Sequence, residues 1–310
     1  MVRISISEAC QRLTSGQVVA IPTETVYGLA ASLQSPDAIE RIFALKKRPA
    51  NNPLIIHLAT AQDLLEFVPT LPFGVKELAA HFWPGSLTLV LPVDVARVPS
   101  IVRAGLSSAA FRVPSHPVAL DILDQVGPLV APSANLSGSP SSTTPAHIEE
   151  DFGDAIPVVD GGACDAGVES TILVFHEGQW QIARLGALSA EVFSELLGYM
   201  PPLLTNENKP LCPGRMHRHY SPKARLLLGT GPYRGQAPIV VGYSDRRYEG
   251  ARRVYTFGSS KSPEEVSHHL YEVLRHLDRR GVLVAWVDME VPEAGLWKTI
   301  RERLFRAAER

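Results

Sequence analysis

Short apolar runs that alternate with amphipathic stretches are the feature that most limits how this chain can fold. Strands are predicted at the short runs, which are QVVAI (17–21), PLIIHLA (53–59), SLTLVLP (86–92), AAFRVP (109–114), PLVAPSAN (128–135), TILVF (171–175) and WQIARLG (180–186). Helices are predicted at SPDAIERIFALKKR, with Ser35 as N-cap and Pro36 as first helical residue, at GVKELAAHFW and at SAEVFSELLG. Because the last two strands flank the turn HEGQ as a hairpin, the pattern predicts a mixed α/β sheet.

The chain changes character between residues 200 and 224. This segment, MPPLLTNENKPLCPGRMHRHYSPKA, has no sustained periodicity and is predicted to be a linker. Beyond it, the strands APIVVGYS, RRVYTF and VLVAWVD alternate with the helices SPEEVSHHLYEVLRHLDRR and LWKTIRERLFRAA. A chain of 310 residues is long enough for two domains. We therefore expect a larger α/β domain over 1–200, a linker or lid over 201–224 and a smaller α/β domain over 225–310.

Charge and cysteine content exclude several classes of protein. With 30 basic and 32 acidic residues, the net charge is −2, which argues against a surface coated with positive charge for nonspecific nucleic-acid binding. Cys10, Cys164 and Cys212 are scattered and form no CxxC pair, so neither a disulfide framework nor a zinc ribbon is indicated. The first residues read as an amphipathic helix without the apolar core of a signal peptide, and no run is long enough to span a bilayer. We expect a cytoplasmic protein.

The stretch IPTETVYGLAA (21–31) carries more polar groups than a turn requires. The hydroxyls of Thr23, Thr25 and Tyr27 and the carboxylate of Glu24 follow a strand directly. A structural turn needs only Pro or Gly and one Asn or Asp. The excess predicts a surface that holds a polar ligand.

Two other strand ends carry similar small polar side chains. PSANLSGSP (132–140) presents Ser133 and Asn135 and is followed by four hydroxyl residues, and DGGACDAGVESTIL (160–173) leads from glycines into Ser170. Glycines allow backbone N–H groups to approach a ligand closely. Neither a GxxxxGK[ST] loop nor a GxGxxG fingerprint is present. Solvent loops with the same composition remain the alternative.

Cations stand near these polar strand ends. Lys46, Lys47 and Arg48 end a predicted helix, where they offset the helix dipole, but arginine also binds phosphate or carboxylate bidentately. Arg112 in FRVP and Arg184 in ARLG lie within or at the end of strands, where a buried arginine needs a partner. Each is compatible with a structural ion pair or with an anion-binding role.

The segment HRHYSP (217–222) places two histidines two residues apart, with Cys212 upstream. A zinc site needs three or four ligands, and no companion cluster accompanies His217 and His219. A polar linker is the simple explanation, and a linker that folds over an active site as a lid is the functional one.

The order of the motifs is more specific than any one of them. PTETVYGLA, KKRPANNPLIIH, WPGSLTLVL, FRVP, PSANLSG, ESTI and RLG together make the chain resemble the YrdC/Sua family of threonylcarbamoyl-adenylate synthases over nearly all of residues 5–200. PGRMHRHYSP is similar to the linker of the longer members, although many of these have PGM followed by a basic residue. The resemblance implies a twisted mixed sheet with a wide concave basic face and a smaller Rossmann-like C-terminal domain.

The resemblance also implies an activity. L-Threonine, bicarbonate and ATP, with Mg²⁺ on the triphosphate and no tightly bound cofactor, give threonylcarbamoyl-AMP and pyrophosphate. A tRNA threonylcarbamoyl transferase complex then modifies the adenosine beside the anticodon, and weak direct binding of tRNA is left open. No membrane partner and no dedicated metal ligand are implied.

Roles carry over to the residues of this chain that match the family motifs. The resemblance assigns catalysis to Lys46, Arg48, Ser133 and Asn135. It assigns ATP binding to Arg48, Asn52, Ser108, Ser133, Asn135, Thr143, Arg184, His219 and Tyr220, and threonine binding to Thr25, His57, Arg112, Ser133 and Ser170. The PTET hydroxyls would then line an amino-acid pocket that rejects analogues lacking a hydroxyl. The C-terminal domain would anchor the linker and bias its closure.

Two other functions compete with this one. A nonenzymatic RNA-binding protein could use the same basic face, but no aromatic residues are interleaved for base stacking. A carbamoyltransferase would use a related domain, but the short C-terminal part shows no cluster of metal-binding His and Asp.

Overall fold

A computed structural model describes residues 2–204 and 219–309. The strands are β1 Arg3–Ile4, β2 Val19–Ile21, β3 Gly28–Ser32, β4 Ile55–His57, β5 Leu87–Pro92, β6 Ser108–Arg112, β7 Leu129–Val130, β8 Val158–Val159, β9 Thr171–His176, β10 Gln179–Arg184, β11 Arg225–Gly229, β12 Ile239–Gly242, β13 Arg253–Thr256 and β14 Val284–Asp288. The α-helices are α1 Ile6–Thr14, α2 Pro36–Lys46, α3 Val75–Phe82, α4 Pro117–Val126, α5 Pro145–Phe152, α6 Glu191–Leu197, α7 Pro263–Arg279 and α8 Leu296–Ala308, and a 3₁₀ helix covers Ala61–Glu66.

The first ten strands form one twisted mixed sheet in the order β1-β8-β2-β3-β7-β4-β6-β5-β9-β10. The predicted hairpin is confirmed, since β9 and β10 are antiparallel with Trp180 opposite Phe175. The register shifts between Ile182 and Arg184. A bulge of this kind changes the direction in which the following side chain points. The last four strands form a second, parallel sheet in the order β11-β14-β12-β13, and the mixed α/β class is confirmed.

Both faces of the larger sheet are packed, because successive side chains of a strand point to opposite faces. Ala20 and Ile56 belong to a large core beneath α2 and α3. Val19 and Leu129 belong to the opposite face, where α1 and α4 cover them. His57 pairs with Leu129 on one side and with Arg112 on the other, so it lies on this second face. The candidate site lies on the same face, beyond the part that α1 and α4 cover.

The structure adds elements that the sequence did not predict. Strands β1 and β8 have two residues each, which is too short to show a period. Strand β3 occupies GLAAS, directly after the polar stretch, and α4 and α5 begin at prolines within segments left unassigned. The predicted strand at 128–135 forms a regular strand only over β7, and an isolated bridge between Gly28 and Ser133 continues the pairing beyond it. In the described part of the chain, no helix combines the length and apolar character needed to cross a bilayer.

Candidate active site

A cavity lined mainly by polar residues opens on the second face of the larger sheet. Its wall contains ten of the residues to which the resemblance assigns a role, namely Thr25, Arg48, His57, Arg112, Ser133, Asn135, Ser170, Arg184, His219 and Tyr220. These residues come from segments up to 195 positions apart in the sequence. Three arginines, Arg48, Arg112 and Arg184, give the cavity its positive character.

Arg112 at the end of β6 forms a buried ion pair at one end of the cavity. Its guanidinium donates to Glu24 Oε1 (2.5 Å), to Thr25 Oγ1 (2.7 Å) and to the Gly85 carbonyl (3.1 Å). Burial would raise the pKa of Glu24, but Arg112 outweighs this effect and lowers it. These contacts use three of the five donors of the guanidinium, so the structural ion pair is present, and binding of an anionic ligand by Arg112 stays a prediction.

The PTET hydroxyls divide between building the turn and facing the cavity. Thr23 Oγ1 donates to the Val26 carbonyl (2.7 Å) and lies 2.8 Å from Thr25 Oγ1, so it closes the turn. Tyr27 Oη donates to the Gly162 carbonyl (2.8 Å), which ties the turn to the glycine-rich loop. Thr25, next to Arg112, is the hydroxyl best placed to meet a ligand at this end.

His57 stands beside Arg112 in the next strand and is buried. Burial, followed by the charge of Arg112, lowers the pKa of His57 to about 3. The imidazole is therefore neutral near pH 7. It supplies hydrogen bonding and shape to the cavity and no positive charge.

Lys46 does not line the cavity, although the sequence placed it among the catalytic residues. Its Nζ donates to the carbonyls of Ser133 and Asn135, each at 2.5 Å, and the side chain is buried. Burial, followed by the charge of Arg48, lowers the pKa of Lys46 well below its usual value. Lys46 thus shapes the Ser133–Asn135 segment from behind.

Asn135 lines the cavity and carries an unpaired buried acceptor. Its Nδ2 donates to the carbonyls of Leu136 (2.8 Å) and Ser139 (3.0 Å). Its Oδ1 is buried and has no hydrogen-bond partner among residues 2–204 and 219–309. A buried unpaired acceptor is costly, so this atom is a candidate to meet a donor when a ligand binds.

Arg48 follows α2, which ends with Lys47 in the left-handed conformation (φ 52°). This turn sends Lys46 inward and Arg48 toward the cavity. Arg48 donates to Asn52 Oδ1 (2.7 Å) and to the Asn52 and Pro53 carbonyls, so Asn52 positions Arg48 and lies behind it. Burial lowers the pKa of Arg48 to about 9, and the group stays cationic at neutral pH.

Arg184 and Ser170 meet on the other wall of the cavity. Arg184 Nη2 donates to the Ser170 carbonyl (2.9 Å) and to Ser170 Oγ (3.1 Å). The bulge in β10 precedes Arg184 and directs it there. Glu169 also lies in the wall. Burial would raise the pKa of its carboxyl group, but the charges of Arg303 and then Arg184 outweigh burial and lower this pKa to about 2.

His219 and Tyr220 line the cavity at the point where the description of the chain resumes. Burial raises the pKa of Tyr220 to about 12, so the phenol is neutral. Cys212, His217 and the PGRM sequence lie outside the described residues. Within the ranges 2–204 and 219–309, no group of three or more His, Cys, Asp or Glu side chains is placed to hold a metal ion.

Two more of the residues assigned from the resemblance stand away from the cavity wall. Thr143 is buried, and its amide donates to His147 Nδ1 (3.1 Å). Ser108 begins β6, four residues and about 13 Å from Arg112 at the other end of the strand. Their proposed contacts with ATP have no support in this geometry.

Sequence reasoning missed the residues that the second unit sends to the site. Arg275 and Tyr271 in α7 and Arg303 in α8 are buried against the larger domain. Arg303 falls on the apolar face of α8 with Ile300 and Leu304, and such a charge on an apolar stripe is the signal that could have revealed it.

Two family profiles match the chain. One, described as telomere recombination (Sua5, YciO and YrdC), matches residues 11–186, and one described as the C-terminal domain of threonylcarbamoyl-AMP synthase matches residues 181–309. The chain is 36% identical to the threonylcarbamoyl-AMP synthase of Pyrococcus abyssi, over 96% of this chain and 92% of the relative. It is 35% identical to the Bacillus subtilis enzyme of the same name, over 98% and 92%.

A solved structure shows the same fold. The crystal structure of P. abyssi Sua5 complexed with L-threonine superposes with a TM-score of 0.89 at 35% identity, over 99% of this chain and 96% of that one. The likeness extends over both sheets.

Proposed function

Because this chain belongs to the Sua5/YciO/YrdC family, in the long form with a threonylcarbamoyl-AMP synthase C-terminal domain, we propose that it makes threonylcarbamoyl-AMP. L-Threonine, bicarbonate and ATP are the substrates, and pyrophosphate leaves. The reaction is a nucleotidyl transfer, and Mg²⁺ enters with the triphosphate as part of the substrate. The observation that carries the proposal is the convergence of Arg48, Arg112 and Arg184 on one cavity.

The chemistry needs such a cavity because two anions must meet. The amine nitrogen of threonine attacks the carbon of bicarbonate, and water leaves, which gives a carbamate. A carbamate oxygen then attacks the α-phosphorus of ATP, and the bond to pyrophosphate breaks. Cations that hold both anions lower their repulsion, and positioning supplies much of the rate.

We assign the two ends of the cavity to the two substrates. The threonine end consists of Thr25, His57, Arg112 and Ser170, where Arg112 takes the amino-acid carboxylate and Thr25 is near enough to recognise the hydroxyl. That a P. abyssi relative is solved with L-threonine supports this assignment.

The nucleotide end consists of Arg48, Ser133, Asn135, Arg184, His219 and Tyr220. Arg48 and Arg184 take phosphate oxygens, and Asn135 Oδ1 accepts from the ligand. Lys46 and Asn52 act behind this wall, by shaping the Ser133–Asn135 segment and by orienting Arg48. The lid predicted over 201–224, between domains over 1–200 and 225–310, stays a prediction, because residues 205–218 lie outside the described residues.

The product would pass to a tRNA threonylcarbamoyl transferase complex in the cytoplasm, and direct contact with tRNA would be weak. No tightly bound cofactor takes part in the proposed reaction. The positive charge is concentrated inside a ligand-sized cavity, which fits catalysis on small anions better than a broad RNA-binding face.

The test is pyrophosphate release from MgATP and bicarbonate, with and without L-threonine, and with the product identified by mass spectrometry. Threonine-dependent release together with the mass of threonylcarbamoyl-AMP is the expected result. A folded chain that releases no pyrophosphate but binds tRNA with a steep salt dependence would replace the proposal by RNA binding. Use of carbamoyl phosphate without threonine would replace it by carbamoyl transfer.

A further inference from the structure

Two helices of the second unit reach the wall of the cavity through one carboxylate. Glu169 Oε2 accepts from Arg303 Nε (3.0 Å) in α8 and from Tyr271 Oη (2.9 Å) in α7. Glu169 Oε1 accepts from Ser141 Oγ (2.5 Å), which belongs to the opposite wall. Arg303 and Tyr271 are fully buried, so the carboxylate is held by fixed partners on every side.

The same arginine also holds the neighbouring segment of the wall. Arg303 Nη2 donates to the Leu185 carbonyl (2.7 Å), and Thr299 Oγ1, one turn earlier in α8, donates to the Gly186 carbonyl (2.8 Å). Gly186 lies so close to the other segment that a Cβ there would be 2.3 Å from the Ser170 carbonyl carbon. Helix α8 therefore clamps together the two stretches that present Ser170 and Arg184.

Tyr220, a third residue of the cavity wall, also contacts Arg303. The guanidinium lies 4.7 Å from the centre of the Tyr220 ring, and that ring stacks on Tyr271 at 5.4 Å. Tyr220 has a φ of 62°, a left-handed conformation that a tyrosine keeps only when its surroundings hold it. Arg303 and Tyr271 provide those surroundings.

We propose that Arg303 is a positioning residue for ATP binding. Arg303 touches no substrate, but it fixes the direction of Arg184 and the position of Tyr220. The inference rests on the proposed function and deepens it, because it gives the second unit a part in the site. Two physical effects support it. The clamp orients Arg184, and the ion pair keeps the Glu169 carboxylate from neutralising the Arg184 charge that the phosphates need.

The contacts of Arg112, at the threonine end, do not involve α8. Arg112 is bonded to Glu24, Thr25 and Gly85, all within the larger sheet unit. Ser170 belongs to the stretch that α8 clamps, but its Oγ also lies 2.7 Å from Thr88 Oγ1 of β5, which anchors it within the larger sheet. Loss of Arg303 should therefore weaken ATP binding selectively, whereas a general loss of structure would weaken both substrates.

The test compares Arg303→Lys, Arg303→Met and Tyr271→Phe with wild type in the full chain. Calorimetry gives the Kd of a nonhydrolysable ATP analogue and of L-threonine, and pyrophosphate release gives kcat and KM. Lys298→Met on the same helix, where the lysine pairs with Glu191 at the surface, is the control and should change neither affinity. Arg303→Lys should weaken analogue binding by roughly tenfold while the threonine Kd stays within twofold, because lysine keeps the charge and loses the planar fork.

A double variant separates the two effects. If freed Glu169 neutralises Arg184, Glu169→Gln combined with Arg303→Met should bind the analogue better than Arg303→Met alone. If Arg303→Met does not fold, Arg303→Lys and Tyr271→Phe decide the question. Folded variants with an unchanged analogue Kd, or with equal losses for threonine and the analogue, would overturn the inference.

Failure of the proposed function has a different signature. It shows in the wild-type chain, as absence of threonylcarbamoyl-AMP, whereas failure of the inference shows in the difference between wild type and variants. A wild-type chain that binds the analogue without turnover refutes the function while the Arg303 comparison is still decided by binding. A wild-type chain that binds no analogue overturns both.

Discussion

The two ends of the cavity are built in different ways. The contacts of the threonine end lie within the larger sheet unit, where Arg112, Glu24 and Thr25 form a closed network. The nucleotide end is braced from the second unit. Arg303 holds one wall, and Arg275 holds the other by donating to the Pro140 carbonyl (2.6 Å) and to Asp151 Oδ2 (2.8 Å). Under the proposed assignment, amino-acid recognition would rest on the larger sheet, whereas nucleotide recognition would depend on how the two units pack.

The largest expected effect is a loss of threonine binding when Arg112 is replaced. Arg112→Gln removes the cation and leaves Glu24 buried without its partner, which should lower the free energy of unfolding by about 3–5 kcal/mol. Threonine affinity should fall by about 100-fold or more, because two charge-assisted hydrogen bonds are lost. Urea unfolding and calorimetry measure these quantities.

The double variant Glu24→Gln with Arg112→Gln is the control for stability. It removes both charges, so most of the lost stability should return while threonine binding does not. Binding of the ATP analogue should stay within twofold of wild type. Recovery of threonine binding in the double variant would contradict the assignment of Arg112.

The next largest expected effect is a loss of activity with ATP when Arg48 is replaced. Arg48→Met removes a phosphate partner, and kcat/KM for ATP should fall about 100-fold, which corresponds to about 2.7 kcal/mol. The Kd for threonine should not change. Arg41→Met, at an exposed position of α2, the helix that precedes Arg48, is the matched control and should keep full activity. Similar losses for both substrates would remove the distinction between the ends.

Lys46 provides a smaller effect that acts through the backbone. Lys46→Met leaves the Ser133 and Asn135 carbonyls without their donor, and an unpaired buried acceptor costs about 1–3 kcal/mol. We expect a loss of about 2 kcal/mol in the free energy of unfolding and a rise in the KM for ATP, with a smaller change in the KM for threonine. Exposed Lys47→Met should change neither. A variant with normal stability and no turnover would instead place Lys46 in the chemistry.

The smallest effect concerns the charge of His57. With a pKa of about 3, its imidazole should stay neutral from pH 8 to pH 5, so an NMR titration should show no midpoint near 6.5. The folded pKa is lowered, so the unfolded chain takes up the proton first as pH falls below 6.5, and stability is lost in that direction.

The contribution of His57 to the pH dependence of stability can be measured by comparing wild type with His57→Gln. Between pH 7.5 and 5.5, His57 should account for a loss of about 1 kcal/mol in the free energy of unfolding, and His57→Gln should remove that part of the pH dependence. An equal pH dependence in wild type and variant would show that folding does not lower the pKa of His57.

Much of the larger fold could be predicted from the sequence, because its signals are local. Ser35 and Pro36 do start α2, and the hairpin around HEGQ forms as expected. The polar strand ends also converge, with Thr25, Ser133 and Ser170 in one cavity wall. The two-residue strands could not be predicted, because two residues are too few to show the alternation of a strand.

The sequence by itself determined the alternation of strands and helices and the motif order that identifies the family, since periodicity and motifs are read from neighbouring residues. Only the tertiary structure decided that Lys46 faces carbonyls nearly ninety positions away and that Arg303 meets Glu169 across 134 positions. A helical pattern shows that a charge lies on an apolar face, but the partner that compensates its burial is chosen by packing. Hence the fold of the site was open to prediction, and the bracing of its nucleotide end was not.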